Sequence, residues 1–355
     1  MIQYITAKDA AEKWNISQRR VSILCSENRI PDAAMLGNMW LIPRDAEKPA
    51  DARKNAKKKS DLPRPFIKWA GGKSQLLDTI AKILPEGLGC KITKYAEPFV
   101  GGGALLFSLL QKHSFDEVYI CDSNKELINA YSIIKDSCEE LIKELRIMEN
   151  EYLTLSTIEE KQDFYYKNRN TFNDENLNDK NSVAKAALFI FLNKTCFNGL
   201  YRVNKNGKFN VPFGKHMKPV ICDEKNLYAV SSALKNVSIK ACDYHSVETF
   251  ADDKTLIYFD PPYRPLNVNS AFTSYTEDSF NDKDQCELAE LYKKLSCKGS
   301  KIILSNSDPH NIDEKDDFFD DLYAEFNTRR IDAARVINSK ASARGKIKEI
   351  LITNY

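Results

Sequence analysis

Leu256-Ile257-Tyr258-Phe259-Asp260-Pro261-Pro262-Tyr263 is the stretch on which the reading of this chain turns. Its first four residues form a continuous apolar run, the pattern of a parallel strand covered on both faces. Pro261 and Pro262 cannot extend a strand ladder, so the chain must turn where the strand ends. Ligands of open α/β sheets sit at that carboxyl edge. There Asp260 can accept one N–H of a planar amine and the carbonyl of Pro261 the other. Tyr263 offers a flat face for stacking a base. These three are the candidate catalytic groups, and an ordinary strand followed by a turn is the plainer alternative.

Working outward, apolar strands alternate with helical stretches from Pro65 onward, as in an α/β sheet. Strands are expected over 95–99, 117–121, 237–241, 256–259, 301–305 and 349–353, and helices over much of 124–198. The first strand carries Glu97 and runs into Gly101-Gly102-Gly103 and then a helix. Glycines at such a turn let backbone approach a ligand closely. The second strand ends at Asp122, where an acid takes ribose hydroxyls. No Gly-x-Gly-x-x-Gly is present, which disfavours a dinucleotide, and the arrangement suits an adenosine-containing cofactor without phosphate. A third strand ends at Asp243-Tyr244.

The 355 residues exceed one average domain. A net charge of +2 does not by itself reveal a nucleic-acid partner, so any basic surface must be local. No apolar run approaches the roughly 20 residues of a membrane helix, and no signal-peptide core is visible. The nine cysteines occur singly, without a Cys-x-x-Cys pair, as in a reduced cytoplasmic protein. The four histidines lack metal-ligand spacing, and no metal is expected.

The Asp-Pro-Pro-Tyr string resembles the catalytic motif of N6-adenine DNA methyltransferases. Pro65-Phe66-Ile67-Lys68-Trp69-Ala70-Gly71-Gly72-Lys73 resembles, nearly residue for residue, a block ahead of the glycine turn in the Dam family. The likeness spans about 64–355, including the closing segment 346–355, in the motif order of the α group. It implies a Rossmann-like class I fold that uses S-adenosylmethionine. It also implies that Trp69, Lys73, Glu97, Gly101, Gly103, Asp122, Asp243, Tyr244 and Asp260 line the cofactor site. Lys73 would meet the methionine carboxylate, Asp243 the adenine, and Lys68 would face DNA.

Between 193 and 214 lies NKTCFNGLYRVNKNGKFNVPFG, in which Asn206-Gly207 is a strong hairpin signal. Arg202, Lys205 and Lys208, interleaved with Tyr201 and Phe209, suit a ribbon in a DNA groove. The stretches 198–202 and 209–214 are very similar to the matching Dam block, where the arginine reads a guanine. The resemblance carries that role to Arg202 and makes Asn198, Tyr201, Lys205 and Lys208 DNA-contacting candidates. The helices and hairpin of about 135–235 are then a target-recognition insertion.

Residues 1–46 read as a separate module: Thr6 caps one helix, Ser17 a second, and 37–43 forms a wing. This resembles the winged helix-turn-helix of excisionase and MerR-type proteins, with Arg19, Arg20 and Arg29 on or near the second helix. A protein-docking module is the alternative. A basic linker follows at 47–64, and 65–355 is the methyltransferase domain. The polar stretch 265–279, with Phe272-Thr273-Ser274-Tyr275, reads as a lid over the base.

The expected activity is methyl transfer to N6 of a flipped adenine in duplex DNA, within GATC. The expected protein is a monomer, with a cognate restriction endonuclease as a further partner. Two alternatives stay open: a DNA-binding regulator with a vestigial methyltransferase body, and methylation of a non-DNA planar amine, where Asn often replaces the acid. Cytosine N4 methylation is usually marked by Ser in the position of Asp260.

Overall fold

The structure is a computed structural model, described over residues 3–27, 29–37, 39–49, 62–174, 182–264, 280–334 and 346–355. Most of the expected linker and all of the expected lid, 265–279, lie outside the described residues. The chain divides into two compact units, Met1–Asp61 and Leu62–Tyr355.

In the first unit, β1 (Tyr4–Thr6) leads into a helix Ala7–Trp14, and a second helix spans Gln18–Ser26. The Thr6 hydroxyl accepts from the Asp9 amide at 3.3 Å, and Asp9 accepts from the Thr6 amide at 3.0 Å. This reciprocal capping box starts the first helix, and left-handed Asn15 (φ 51°) ends it. Strands β2 (Ala34–Leu36) and β3 (Met39–Pro43) complete an antiparallel sheet ordered β1-β3-β2. Ala10, Trp14, Val21, Leu24, Ile30 and Ile42 form its core. The strand at Tyr4–Thr6 is an addition to what the sequence suggested.

Among the described residues the second unit is built on seven strands: β4 (Lys94–Glu97), β5 (Glu117–Asp122), β6 (Val237–Ala241), β7 (Thr255–Phe259), β8 (Lys301–Ser307), β9 (Asn327–Ala334) and β10 (Lys346–Thr353). Their order is β6-β5-β4-β7-β8-β10-β9. The first five run parallel, and β10 is antiparallel to both neighbours. Strand β7 is buried at every residue, which its apolar run required. Chain order runs outward from the β4/β7 pair, to β5 and β6 on one side and to β8 on the other. That pair is the switch point of the sheet, so the loops leaving β4 and β7 open into one crevice.

Strand β9 is an addition to the strands the sequence suggests. Asn-Thr-Arg-Arg-Ile-Asp-Ala-Ala lacks apolar alternation because β9 is an edge strand, bonded among the described residues only to β10. Between β5 and β6 lie helices Lys125–Asp136, Cys138–Thr154, Ile158–Phe172, Val183–Thr195 and Glu224–Leu234. Val183–Thr195 is buried on nearly all sides, as the centre of a helical layer must be.

Candidate active site

Asp260 stands one residue beyond β7, at the switch point. Lys73 Nζ lies 2.8 Å from its Oδ1, and the Ser305 hydroxyl donates to the same Oδ1 at 2.9 Å. Burial pushes the Asp260 carboxyl above the ordinary carboxylate range, while the Lys73 charge and the two hydrogen bonds pull it back. Among the described residues both partners of Asp260 meet Oδ1 and none meets Oδ2. Lys73 is only 5% exposed. Its Nζ also donates to the Gly71 carbonyl at 2.9 Å and sits 4.5 Å from the centroid of the Tyr263 ring. The Tyr263 hydroxyl donates to Glu349 Oε2 at 2.6 Å, and burial raises that carboxyl as well.

The ammonium of Lys73 thus pairs with the chain's own Asp260 and the Gly71 carbonyl, and the contact with the cofactor carboxylate that the resemblance implies is a separate expectation. A lysine sealed at the base of a crevice needs a carboxylate within reach, and Asp260 is the one that folding supplies.

Glu97 ends β4 beneath the glycine turn, accepts from the Tyr95 hydroxyl at 2.7 Å, and is pushed up to about 8 by burial. Gly101 and Gly103 take φ of +48° and +69°. A Cβ on Gly101 would meet the Trp69 indole at 2.8 Å, and one on Gly103 the Tyr131 hydroxyl at 2.5 Å. These two positions therefore require glycine. Asp122 ends β5 and accepts from the Gly101 amide at 3.1 Å and the Asn124 amide at 3.0 Å, and burial raises its carboxyl.

Past β6, exposed Asp243 accepts from the His245 amide at 2.9 Å. Buried Tyr244 stacks on Phe99 at 5.1 Å and meets Phe280 edge-on at 5.8 Å. Phe99 and Phe280 had not been singled out. These groups line one cleft of about 1590 Å³, wide enough for a nucleoside and a second planar ring. A glycine cradle without Cβ atoms, acids at two adjacent strand ends and an aromatic wall fit S-adenosylmethionine.

Lys68 is exposed on the cleft, and its backbone is fixed by Asn193, which accepts from the Lys68 amide at 2.9 Å. Asn193 Nδ2 donates to the carbonyls of Lys68 (2.8 Å) and Gly199 (3.0 Å). This buried asparagine, overlooked in the sequence, stitches the 65–73 block to the root of the hairpin. Asn198 is left-handed (φ 56°), exposed, and also lines the cleft.

The expected hairpin turns at Asn206-Gly207, held by the isolated bridge Val203–Phe209 without a continuous ladder. Arg202, Lys205 and Lys208 are exposed on it. Arg202 Nε donates to Asn210 Oδ1 at 2.7 Å and its Nη2 to the Asn210 carbonyl at 3.3 Å. Tyr201 is placed differently from its neighbours: its ring stacks on Trp69 at 5.8 Å and lies against Phe189 and Phe209. Alternation along the hairpin turns it inward, so it packs beneath the cofactor block while Arg202 faces out.

His310, Asp317 and Asp320 bring ligand atoms within 4.8 Å of one another, a grouping the sequence spacing did not suggest. Arg330 already neutralises Asp320 at 2.6 Å. Among the described residues no helix is long and apolar enough to cross a membrane.

The model of the D12 class N6 adenine-specific DNA methyltransferases matches residues 69–337. Type II methyltransferase M.MjaIII of Methanocaldococcus jannaschii is 50% identical over 294 residues, covering 82% of this chain and 99% of that protein. Type II methyltransferase M1.LlaDCHI of Lactococcus lactis subsp. cremoris is 40% identical over 294 residues, covering 82% and 95%. The DNA adenine methylase of Escherichia coli (strain K12) is 33% identical over 288 residues, covering 81% and 94%.

Proposed function

The chain belongs to the D12 class of N6 adenine-specific DNA methyltransferases, and from that premise we propose which of its residues act and where on DNA they act. It uses S-adenosylmethionine as methyl donor and adenine in DNA as acceptor.

Bound S-adenosylmethionine supplies an electrophilic methyl group. Trp69, Glu97, Gly101, Gly103, Asp122, Asp243 and Tyr244 are the residues that would hold it. Adenine N6 is a weak nucleophile because its lone pair is delocalised into the ring, and the base must leave the duplex to reach a crevice. Asp260 Oδ2 and the Pro261 carbonyl accept the two N6 protons, which draws the nitrogen toward tetrahedral geometry. Lys73 and Ser305 hold the carboxylate through Oδ1 and keep it charged, and Tyr263 stacks on the base. Positioning and preorganised charge then carry the rate.

The observation that supports this reading best is that, among the described residues, both partners of Asp260 meet the same oxygen. The other oxygen remains for the substrate.

On the DNA, the reading assigns guanine recognition to Arg202 and phosphate contacts to Lys68, Lys205 and Lys208, with Asn198 at the base. The hairpin's likeness to the Dam block supports GATC as the site. Two relatives are named Type II methyltransferases, which supports a restriction endonuclease as companion. All candidate catalytic parts lie in one chain, which supports a monomer. Labelled methyl transfer to unmethylated plasmid, then digestion with enzymes sensitive to methylation at GATC, tests the assignment. Protection at GATC is expected; incorporation without it moves the specificity elsewhere.

For residues 1–46 the reading is a helix-turn-helix that touches DNA through Arg19 and Arg20. Met35, Leu36 and Met39, each more than half exposed on the β2–β3 hairpin, favour a second reading as a protein-docking module. Substituting both arginines should flatten the salt dependence of DNA binding under the first reading and leave it unchanged under the second.

A further inference from the structure

We propose that Glu349, on the last strand, is a positioning residue that fixes the Tyr263 ring for the target base. The proposal rests on the reading of Tyr263 as the stacking surface.

Strand β10 is antiparallel to β8 and brings Glu349 opposite Ser307, beside the crevice. The backbone after Tyr263 is held independently. The Arg264 amide donates to Asn306 Oδ1 at 3.4 Å, and its guanidinium grips Asp282 at 2.7 Å and Asp316 at 2.6 Å. That leaves the two side-chain torsions of Tyr263 to be fixed. The 2.6 Å bond from its hydroxyl to Glu349 fixes the far end of the ring, with the short length of a charge-assisted bond. Lys73 Nζ, 4.5 Å from the ring centroid, covers one face. With the end tied and one face occupied, the opposite face is the one offered to adenine.

Lys73 is itself bonded to Asp260. A chain of contacts, Asp260 to Lys73 to Tyr263 to Glu349, therefore sets the group that receives the amine relative to the ring that receives the base. A carboxylate placed here only to satisfy the core would not need to meet Tyr263 at its tip. Burial raises its proton affinity, a cost that a hydrogen bond to a functional ring explains.

The test uses the full-length protein, labelled S-adenosylmethionine and unmethylated plasmid DNA. The variants are E349A, E349Q, Y263F, the double variant E349A/Y263F, and Y263A. Misplacing a reacting group by about 1 Å costs up to roughly a hundredfold in rate. E349A and Y263F are expected to lower kcat by about ten- to a hundredfold, with little change in KM for S-adenosylmethionine. The double variant should be no worse than either single one, because both remove the same bond. E349Q, whose amide oxygen still accepts from the hydroxyl, should recover most of the loss.

Multiplicative losses in the double variant, or parent-like kcat in Y263F, would overturn the inference alone. Parent-like kcat in Y263A would overturn the stacking reading and this inference with it. Y263F leaves Glu349 in place, so the test stands even where E349A fails to fold.

Discussion

Lys73 Nζ lies 2.8 Å from Asp260 Oδ1, joining a residue near the start of the catalytic unit to the acid that follows β7. The pair is sequestered, with Lys73 at 5% exposure. Removing one partner of such a pair leaves an uncompensated buried charge. Its lysine therefore serves the acid's ionisation as much as any ligand.

Ser305 follows from the same relationship. Its hydroxyl lowers the proton affinity of Asp260, which burial raises. In the proposed mechanism the acceptor is the carboxylate, so activity should be lost as pH falls through its ionisation. In Ser305→Ala that acidic limb of the kcat–pH profile should move to higher pH, with kcat at neutral pH down roughly tenfold. An unmoved limb would detach Ser305 from the acid.

Gly101 and Gly103 separate binding from folding. Alanine at 101 pushes on the Trp69 indole, and alanine at 103 on the Tyr131 hydroxyl, each at positive φ. Gly103→Ala should cost about 1–3 kcal/mol in unfolding free energy. Gly101→Ala should weaken S-adenosylmethionine binding roughly tenfold, as calorimetry would show, because Trp69 lines the cleft.

Glu97 gives a pH signature of stability. Its folded carboxyl is raised to about 8 from 4.5. A group raised on folding stabilises fully below its unfolded value, and that contribution is lost as pH rises through the folded one. The parent should therefore lose thermal stability relative to Glu97→Gln between about pH 4.5 and 8, as paired melting curves would show. A constant difference across that window would contradict the buried ionisation.

Arg202 and Lys205 should differ in kind. Arg202→Ala should erode discrimination at one base by about 1–3 kcal/mol. Lys205→Ala should weaken binding evenly across sequences and reduce the salt slope by about one. Methylation of a library of single-base site variants separates the two.

Much of this was legible in the chain itself. The β7 run, the prolines that end it and the glycine turn declare themselves locally, since apolar runs and glycine turns are short-range signals. Six of the seven strands of the large sheet could be placed for that reason, and polar β9 could not. Ser305, Glu349 and Asn193 were not legible, because their roles come from partners 45, 86 and 125 residues away. Tyr201 shows the same limit in reverse. The surrounding cations suggested an exposed ribbon, but stacking on Trp69 leaves it half-buried against the core.

The most direct test of the central claim is single-turnover methyl transfer by Asp260→Ala, measured alongside its affinity for duplex DNA. The account predicts that methyl transfer collapses while DNA binding stays within a few-fold of the parent. Transfer at the parent's rate, or equal loss of both, would contradict the role assigned to Asp260.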